Sequence, residues 1–469
     1  MNLKFQNLQI DPTDPFSKDL LNRKPEIENL STLISNLNSP AVLAIDSPWG
    51  TGKTTFIKMW EAFLQNNGIE SLYFNAWATD FSEDPLISFL GEMNDGLSKL
   101  ISSSAESTEA WERAKNIGAT LAKKGIPALI KIATAGVIDA EKIIEDEASK
   151  VMESLTGDIL NDYFRQKSAI AEFHEALTKL IAESKIKPIV IFVDELDRCR
   201  PTYAISLLER IKHLFNIEGL VFILSLDKSQ LCHSISAVYG YNFDSESYLR
   251  RFFDFEYQLK RPEIKGYVKA LFSALELDKL HEPRKKYDQL RYDLEHLENV
   301  FLMLAERLNL PPREIEQLLA NINLALRTAK ENEFVYPALL TFLVITKNKR
   351  PAVYRNYVSP LEKETTIIDY FYELMPEPLR YKSFECALIE GFLVAAKVDR
   401  YGRSESSETY VTHQRNLADE TATPETREYS RKVVNIANNP SNRGYGLDLG
   451  ALVERIEMIS RFQFEQSDG

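Results

Sequence analysis

Near the amino terminus, a short apolar run leads through a glycine-containing loop into an amphipathic helix. Residues 41–47, AVLAIDS, have the length and apolar character of a buried strand. From Lys53 onward, KTTFIKMWEAFLQNNG has apolar residues at helical spacing and ends in Asn-Asn-Gly, a common helix stop. The loop between them, SPWGTGKTT, resembles the phosphate-binding pattern G-x-x-x-x-G-K-[ST]. A strand, such a loop and a helix in this order favour an α/β fold with a parallel sheet.

The loop departs from the pattern at its first position, where Ser47 replaces glycine. Because Pro48 favours an extended conformation of the preceding residue, Ser47 at a strand end does not need the positive φ that glycine permits. Gly50 and Gly52 are kept, and their N–H groups would face phosphates at the start of the helix. The predicted nucleotide-binding residues are Ser47, Pro48, Trp49, Gly50, Thr51, Gly52, Lys53, Thr54 and Thr55. The alternative is a glycine-rich turn that binds nothing.

A second segment supplies the acidic partner that a phosphate-binding loop requires. In KPIVIFVDELDRCRP, residues 187–201, the apolar run Ile189–Val193 suits a strand buried on both faces. Asp194 follows at the carboxyl end, where α/β folds bind ligands, and is predicted to hold Mg²⁺. Glu195 is placed to polarise an attacking water as a general base. For Asp197, roles in catalysis and in local structure stay equally open.

Two loop side chains have predicted roles towards the phosphates. Lys53 would neutralise the β- and γ-phosphates, and Thr54 would offer its hydroxyl to Mg²⁺ beside Asp194. The sequence contains no Asn-Lys-x-Asp element of the kind that reads guanine, so ATP is favoured over GTP. The predicted ligands of the site are therefore ATP and Mg²⁺.

Two further apolar runs complete the predicted sheet. SLYFNAW, residues 71–77, follows the helix after the loop, and GLVFILSLD, residues 219–227, follows the Asp-Glu segment. Strands that alternate with helices indicate a parallel sheet covered by helices on both faces. At the end of the last run, Ser225 or Asp227 could sense the γ-phosphate, and Asp227 could equally cap the next helix.

Five stretches occur in one order across residues 20–330: SPWGTGKTTF, LYFNAWATDFSEDPLISFL, IVIFVDELDRCRPTYAISLLERIKHLF, VFILSLDKSQLCHSI and YLRRFFDFEYQL. In this they resemble the KAP family of P-loop NTPases. The resemblance implies an ATPase core of ASCE type, with an extra strand between the phosphate-loop strand and the Asp-Glu strand. It also implies a helical lid with a sensor arginine, here Arg313, and an amino-terminal segment, residues 19–34, that lines the adenine pocket. By analogy with the family, the setting would be anti-phage defence or signalling.

Residues 84–186 form a long insert, which the apolar spacing of stretches such as AEFHEALTKLIAES predicts to be helical. Many members of the family carry transmembrane helices in this place. The most apolar piece here, GIPALIKIATAGVIDA at 125–140, is shorter than the roughly 20 residues of a membrane span and contains charged residues. We therefore expect a soluble insert, with an amphipathic membrane contact near Lys123 and Lys124 as the alternative.

The chain is expected to contain several regions around this core. They are an amino-terminal segment at 1–40, the P-loop core at 41–83 and 187–262, the helical insert at 84–186, a helical lid at 263–345 and a helical C-terminal region at 346–469. Within the last region, the polar residues 400–445 are predicted to form a loop. The C-terminal region carries no recognised motif and is the expected docking site for a protein partner.

Composition limits the classes of function. The chain has 469 residues and a formal net charge of −13, which disfavours a general nucleic-acid binder, a nucleic-acid motor or a protein that coats acidic membranes. Its three cysteines are far apart, which indicates a reducing compartment, and they lack the spacing of a zinc site. No secretory signal precedes the first helix, so the expected localisation is cytoplasmic.

These features together predict ATP hydrolysis that drives a change of conformation or assembly. The alternative is a scaffold that binds ATP with negligible hydrolysis and uses the nucleotide to fix its oligomeric state. In SESYLRRFFDFEY, Arg250 is predicted to act as an arginine finger on the γ-phosphate of a neighbouring subunit, which requires a homo-oligomer. Arg251 is expected to pair with a nearby acid such as Asp244 or Glu246.

Overall fold

The computed structural model describes residues 9–37, 39–96, 104–124, 165, 167–183, 188–359, 362–397, 407–440 and 447–459. It divides into two compact units, Leu8–Arg261 and Pro262–Gly469. In the described residues, all strands belong to the first unit, and the second unit is helical. The division lies one residue from the end of the core that the sequence predicts.

The first unit is built on a parallel five-stranded sheet. Its strands are β1 (Ala41–Asp46), β2 (Ser71–Asn75), β3 (Ile189–Asp194), β4 (Leu220–Leu226) and β5 (Phe255–Gln258). Their spatial order is β2-β3-β4-β1-β5, and all neighbours run parallel. Since β4 separates the phosphate-loop strand β1 from the Asp-Glu strand β3, the predicted ASCE-type α/β core is confirmed.

Helices cover both faces of this sheet. They are α1 (Lys24–Ser35), α2 (Lys53–Asn66), α3 (Pro85–Gly96), α4 (Ala105–Lys124), α5 (residues 167–183), α6 (Pro201–Leu214), α7 (Lys228–Tyr239) and α8 (Ser245–Leu249). On one face, α1 and α2 form an apolar core in which the rings of Trp60 and Phe192 lie 5.4 Å apart. The remaining helices form a second core around Phe89 and Phe215. Covered on both faces, β1, β3 and β4 are the continuous apolar runs that such strands require.

The insert contributes α3, α4 and α5 to this second core. Trp111 of α4 and Phe173 of α5 are fully buried there, so these parts of the insert are a structural layer of the unit. The apolar stretch at 125–140 and the side chains of Lys123 and Lys124 lie outside the described residues. Among the helices that the structure describes, none combines the length and hydropathy needed to cross a membrane.

The second unit is a helical array. Its helices are α9 (Ile264–Ala274), α10 (Leu277–His281), α11 (Asp293–Arg307), α12 (Pro312–Arg327), α13 (Pro337–Lys349), α14 (Pro351–Val358), α15 (Thr365–Leu374), α16 (Glu377–Arg380), α17 (Phe384–Ala395), α18 (Glu408–Ala418), α19 (Pro424–Asn438) and α20 (Leu449–Ile459), with 3-10 turns at Glu282–Lys286 and Asp288–Leu290. From Pro337 to Thr346, every residue of α13 is buried, as expected of a helix apolar on all sides. It packs against α11, α12, α14 and α17, so the lid and C-terminal region of the sequence prediction lie in one unit.

The predicted polar loop at residues 400–445 is wrong for its larger part. Two helices, α18 and α19, occupy most of it, and the side chains of Ser407 and Thr423 cap their first turns. The polar composition misleads because His413 and Ser430 face inward. Their side chains are buried and hydrogen-bonded to each other at 2.9 Å, so polar residues here line a core instead of a solvated loop.

Candidate functional site

The register of the sheet brings the predicted site residues to one edge. Asn75 of β2 pairs with Asp194 of β3, Asp194 pairs with Ser225 of β4, and Ser225 pairs with Ile45 of β1. Because the strands are parallel, all of these residues lie at their carboxyl ends. This edge is where open α/β sheets bind ligands.

The backbone of the phosphate-binding loop forms a cradle at this edge. Gly50 and Gly52 have φ values of 79° and 88°, a conformation that side chains disfavour. The helix α2 starts at Lys53, and the first N–H that bonds back to Gly52 is that of Phe56, at 3.0 Å. The N–H groups before Phe56 have no acceptor within the helix, so they are available to an anion.

Ser47 is part of this cradle through its side chain. Its hydroxyl is buried and donates to the Thr51 hydroxyl at 2.7 Å, which in turn donates to the Pro48 carbonyl at 2.8 Å. Ser47 is absent from the positive-φ residues of the described chain, as expected from the proline that follows it. The serine therefore ties the loop together, a hydrogen bond that sequence reasoning missed.

Trp49 connects the loop to two acidic residues. Its backbone N–H donates to Asp227 at 3.2 Å, and its indole N–H donates to the carboxylate of Asp197. Asp227 also caps α7 by accepting the N–H of Gln230 at 3.2 Å. Of the roles left open by the sequence, Asp197 thus has a structural one at the loop. Asp227 has the predicted cap and a loop contact as well.

Lys53 is a largely desolvated cation inside the cradle. Its ammonium donates to the carbonyls of Ser47 and Pro48, the latter at 3.3 Å. Burial lowers the pKa of Lys53, and the nearby carboxylates of Asp197 and Asp227 oppose this shift. A half-buried ammonium whose direct partners are neutral carbonyls is well suited to a phosphate.

Asp194 and Thr54 offer the oxygens expected of a magnesium site. Asp194 is 1% exposed and accepts one hydrogen bond at each oxygen, from the Tyr73 hydroxyl at 3.1 Å and from the Glu195 N–H at 2.9 Å. Each oxygen keeps a further lone pair. Within the described residues, the Thr54 hydroxyl forms no hydrogen bond. This donor set fits Mg²⁺, which prefers carboxylate, hydroxyl and water oxygens.

Glu195 has an unusual backbone and few partners. Its φ of 61° places a non-glycine residue in the left-handed region, which costs about 1–3 kcal/mol. The carboxylate is buried and accepts from Asn75 at 3.2 Å, and it pairs with Arg198 at 2.7 Å. Burial raises the pKa of Glu195, and the contacts with Arg198 and Asn75 oppose the rise. Strain held beside a buried acid is typical of a functional site.

Ser225 belongs to β4, which lies between β1 and β3, and it is at the same edge of the sheet. Its side chain is fully buried, and its hydroxyl lacks a hydrogen-bond partner in the described structure. A buried hydroxyl without a partner is uncommon in proteins. Its position supports the predicted contact with a ligand at this edge.

The two predicted arginines, Arg250 and Arg313, have exposed side chains. Arg250 ends α8 and is exposed, and it pairs with Glu246 at 3.7 Å. The expected ion pair between Arg251 and Glu246 is wrong. Glu246 is one helical turn before Arg250 and pairs with Arg250 instead. Arg313 is exposed in the first turn of α12, in the second unit. The finger role of Arg250 and the sensor role of Arg313 stay predictions.

Sequence reasoning missed several contacts of the site. Asn75 and Tyr73 contact the two acids of the Asp-Glu segment, and their position near the end of a strand next to β3 was the available signal. Arg23, in the amino-terminal segment, is buried and its Nη2 lies 3.5 Å from the Thr51 carbonyl. That this segment lines an adenine pocket stays a prediction.

The sheet order, the cradle and the two acids at one edge define the class of the first unit as a P-loop nucleoside triphosphatase core. A family model described as the KAP family P-loop domain matches residues 23–329, well over half of the chain. The chain belongs to the KAP family. Family and site geometry together support nucleotide binding.

Comparison with solved structures gives distant likenesses. The structure of the Aeropyrum pernix ORC2 protein in ADPNP-ADP complexes shares 13% identity, with a TM-score of 0.31 and coverage of 97% of this chain and 96% of that chain. Its ADP form shares 12% identity, with a TM-score of 0.30 and coverage of 94% of each chain. No curated protein matches the chain. The fold assignment therefore rests on the sheet order and the family.

Proposed function

We propose that the chain binds MgATP at the phosphate-binding loop and hydrolyses it to change its conformation or assembly. The observation that carries this proposal is Glu195, a buried carboxylate on a left-handed backbone directly after Asp194. Burial raises the pKa of Glu195, and a carboxylate with a raised pKa is a better general base than a solvated one. The setting in anti-phage defence or signalling is carried by the family alone.

The roles follow from the contacts at the edge. The N–H groups around Gly50 and Gly52 and the ammonium of Lys53 would bind the phosphates, and Thr54 and Asp194 would hold Mg²⁺. A bound magnesium ion would neutralise charge on the β- and γ-phosphates. Glu195 would accept a proton from the attacking water. Its left-handed backbone directs the carboxylate while Asn75 holds one oxygen.

Turnover of ATP tests the proposal. The purified chain is expected to hydrolyse MgATP, and Lys53→Ala and Glu195→Gln are each expected to abolish this activity. Lys58→Ala removes an exposed lysine from the same helix and is the matched control, with turnover unchanged. The proposal fails if wild type shows no turnover above Lys53→Ala.

A nucleotide-binding scaffold is the second candidate, and one observation favours it. Both oxygens of Glu195 already have donors, Asn75 and Arg198. These contacts occupy the carboxylate that hydrolysis would need as a base. A scaffold would bind MgATP with an affinity that depends on Lys53 and would change its oligomeric state without turnover. Sedimentation with MgATP and with a non-hydrolysable analogue separates the two, because a scaffold responds equally to both over any time of incubation.

We also propose that Arg250 completes the site of a second copy of this chain. The N–H of Asp254 donates to the Val42 carbonyl at 2.9 Å, near the start of β1. The phosphate-binding loop, by contrast, follows the end of β1. Arg250, four residues before Asp254, therefore lies towards the amino-terminal edge of the sheet, away from the loop of its own chain. Its ion pair with Glu246 joins two side chains that are each about two-thirds exposed, and such a pair is worth about 0–1 kcal/mol.

Mixed subunits test this arrangement. Arg250→Ala is expected to lower turnover by about 10³-fold or more while ATP affinity is kept, and Arg251→Ala is the control. Turnover per subunit should rise with protein concentration. Mixing Arg250→Ala with Lys53→Ala should restore part of the activity, since one subunit supplies the loop and the other the arginine. A monomer whose turnover does not depend on concentration would contradict the proposal.

A further inference from the structure

An arginine three residues beyond the proposed general base contacts it directly. Nη1 of Arg198 lies 2.7 Å from Oε1 of Glu195, and Asn75 donates to the other oxygen at 3.2 Å. A base must accept a proton from water through one of these oxygens. The guanidinium favours the ionised carboxylate and fills the space in front of Oε1, so it competes with the water.

Arg198 is more exposed to solvent than a structural arginine such as Arg210. Its side chain is 31% exposed, and its other contact is the face of Trp77, whose ring centroid lies 5.5 Å from the guanidinium carbon. Trp77 is itself partly in solvent. Arg210 of α6, by contrast, is 4% exposed and binds Asp84 at 2.7 Å. A partly solvated arginine with one ion pair and one stacking contact moves more readily than a buried one.

We propose that Arg198 is a clamp that keeps Glu195 occupied and so holds the basal turnover of the single chain low. This inference rests on the proposed ATP hydrolysis. The clamp is closed when Arg198 lies between Glu195 and Trp77, and it opens when Arg198 leaves Glu195. Opening involves one partly exposed side chain and leaves the left-handed backbone of Glu195 unchanged, so the base stays aimed at the same edge. Arg198 acts through Glu195 and is a positioning residue.

The steady-state constants of three variants test the clamp. Arg198→Ala is expected to raise kcat by roughly three- to tenfold, the scale of one partly exposed charge-assisted hydrogen bond, with KM for MgATP within about twofold of wild type. Arg198→Lys keeps the positive charge without the planar guanidinium, and its kcat should lie between those of wild type and Arg198→Ala. Trp77→Ala removes the stacking contact and should give a smaller rise.

Arg200 provides a matched control in the same segment. It is exposed and pairs with Asp80 at 2.9 Å, away from Glu195. Arg200→Ala should leave kcat unchanged, which separates the clamp from a general loss of positive charge.

A double variant shows whether the gain passes through the base. Arg198→Ala combined with Glu195→Gln should be as inactive as Glu195→Gln alone. Emission of Trp77, taken as the difference from Trp77→Phe, should change in Arg198→Ala, since the stacked guanidinium is lost. Melting temperatures close to wild type would show that each variant is folded.

The outcomes separate the clamp from the proposed function. A kcat that stays equal or falls in Arg198→Ala, with the fold intact and wild type active, overturns the clamp and leaves hydrolysis standing. A rise in Arg198→Ala that persists in the double variant also overturns it, because the effect would then bypass Glu195. If wild type does not exceed the Lys53→Ala background, the proposed function fails, and the clamp, which rests on it, fails with it.

Discussion

Glu195 and Glu390 are both buried, yet their surroundings shift the pKa of the two carboxyl groups in opposite directions. Their exposed fractions are 5% and 0%. Burial raises the pKa of Glu195, and contacts with Arg198 and Asn75 do not cancel the rise. Burial would raise the pKa of Glu390 too, but hydrogen bonds, that of His413 foremost, bring it below its ordinary value. The two acids therefore differ in their partners, not in their burial.

Glu390 lies in the middle of α17 and accepts from three side chains. One oxygen receives the Tyr372 hydroxyl and Nε2 of His413, the latter at 2.7 Å, and the other receives the Tyr429 hydroxyl. Arg380 lies 3.8 Å from the second oxygen and places its guanidinium 3.8 Å from the ring centre of Tyr372. The charge is thus fully solvated by protein groups, as a buried carboxylate requires.

Part of this network has the order of a nucleophilic triad. Ser430 contacts His413 at 2.9 Å, and His413 contacts Glu390. A catalytic serine must reach a substrate, however, and Ser430 is only 1% exposed. Tyrosine hydroxyls also fill the oxygens of Glu390. Residue types and spacing alone would suggest chemistry here, whereas burial and the full set of partners show a structural cluster.

The comparison separates an acid that holds the fold from an acid suited to react. Glu390 is satisfied by neighbours within a helix of ordinary geometry. Glu195 is strained at a strand end, has two donors and lies at the edge where the phosphate-binding loop, Asp194 and Ser225 meet. We expect substitutions of the two acids to have effects on different quantities.

The largest expected effect is on the turnover of Glu195→Gln. Loss of the general base should lower kcat by about 10²–10⁴-fold, the range for such groups. The amide keeps the volume and one acceptor, so the melting temperature should change little. Single-turnover kinetics with a thermal melt would check both. A melting temperature that falls as far as that of Glu390→Gln would break the comparison.

The second effect is on the stability of Glu390→Gln. Removing a buried charge from its partners costs about 3–5 kcal/mol, because Arg380 loses its counter-ion and the hydrogen bond of His413 to the carboxylate is weakened. Urea unfolding measures the loss, and turnover per folded molecule should stay within about twofold of wild type. Glu373→Gln, an exposed acid on α15, is the control and should shift stability by less than about 0.5 kcal/mol.

A third effect concerns the pH dependence of unfolding. The folded-state pKa of Glu390 lies below its ordinary value of 4.5. Its contribution to stability is therefore present above that ordinary value and is lost as pH falls through the lower folded pKa. The stability difference between wild type and Glu390→Gln should accordingly shrink in acid, when urea midpoints are compared between pH 7 and pH 3. A difference that stays constant would show that the carboxylate is not ionised in the fold.

The smallest expected effect lies within the nucleotide site. Ser47→Gly removes the hydroxyl that ties Ser47 to Thr51, a bond worth about 0.5–1.5 kcal/mol. ATP affinity should fall by less than about tenfold, which calorimetry resolves. Ser47→Ala should match Ser47→Gly, since the backbone needs no glycine. A larger loss in Ser47→Ala than in Ser47→Gly would mean that the position requires glycine after all.

Sequence patterns predicted the parts of the site that depend on local structure. Apolar runs of strand length located β1 and β3, and the glycine-lysine loop and the acids after β3 were identified by their place at strand ends. The order of the strands came from the resemblance to a family. Contacts such as Asn75 with Glu195 and Trp49 with Asp197 depend on sheet register and on loop conformation, which composition and spacing do not encode.

In the C-terminal helices, by contrast, sequence patterns gave the wrong structure. Residues 408–438 fall within the predicted loop at 400–445, because polar residues such as serine and asparagine are common in loops. In the structure, His413 and Ser430 satisfy one another and a buried acid within a packed interior. A buried polar network therefore has the composition of a solvated segment, and only the three-dimensional pairing distinguishes the two.

The loop around Lys53 is expected to bind the nucleotide, and Glu195 is expected to act on the nucleotide once it is bound. Calorimetric titration of MgATP into Lys53→Ala and Glu195→Gln separates these two roles. The expected result is binding to Glu195→Gln with the affinity of wild type and no measurable binding to Lys53→Ala, since the ammonium of the cradle is gone. Equal affinities of Lys53→Ala and wild type would contradict the account, because the loop would then not be the nucleotide site.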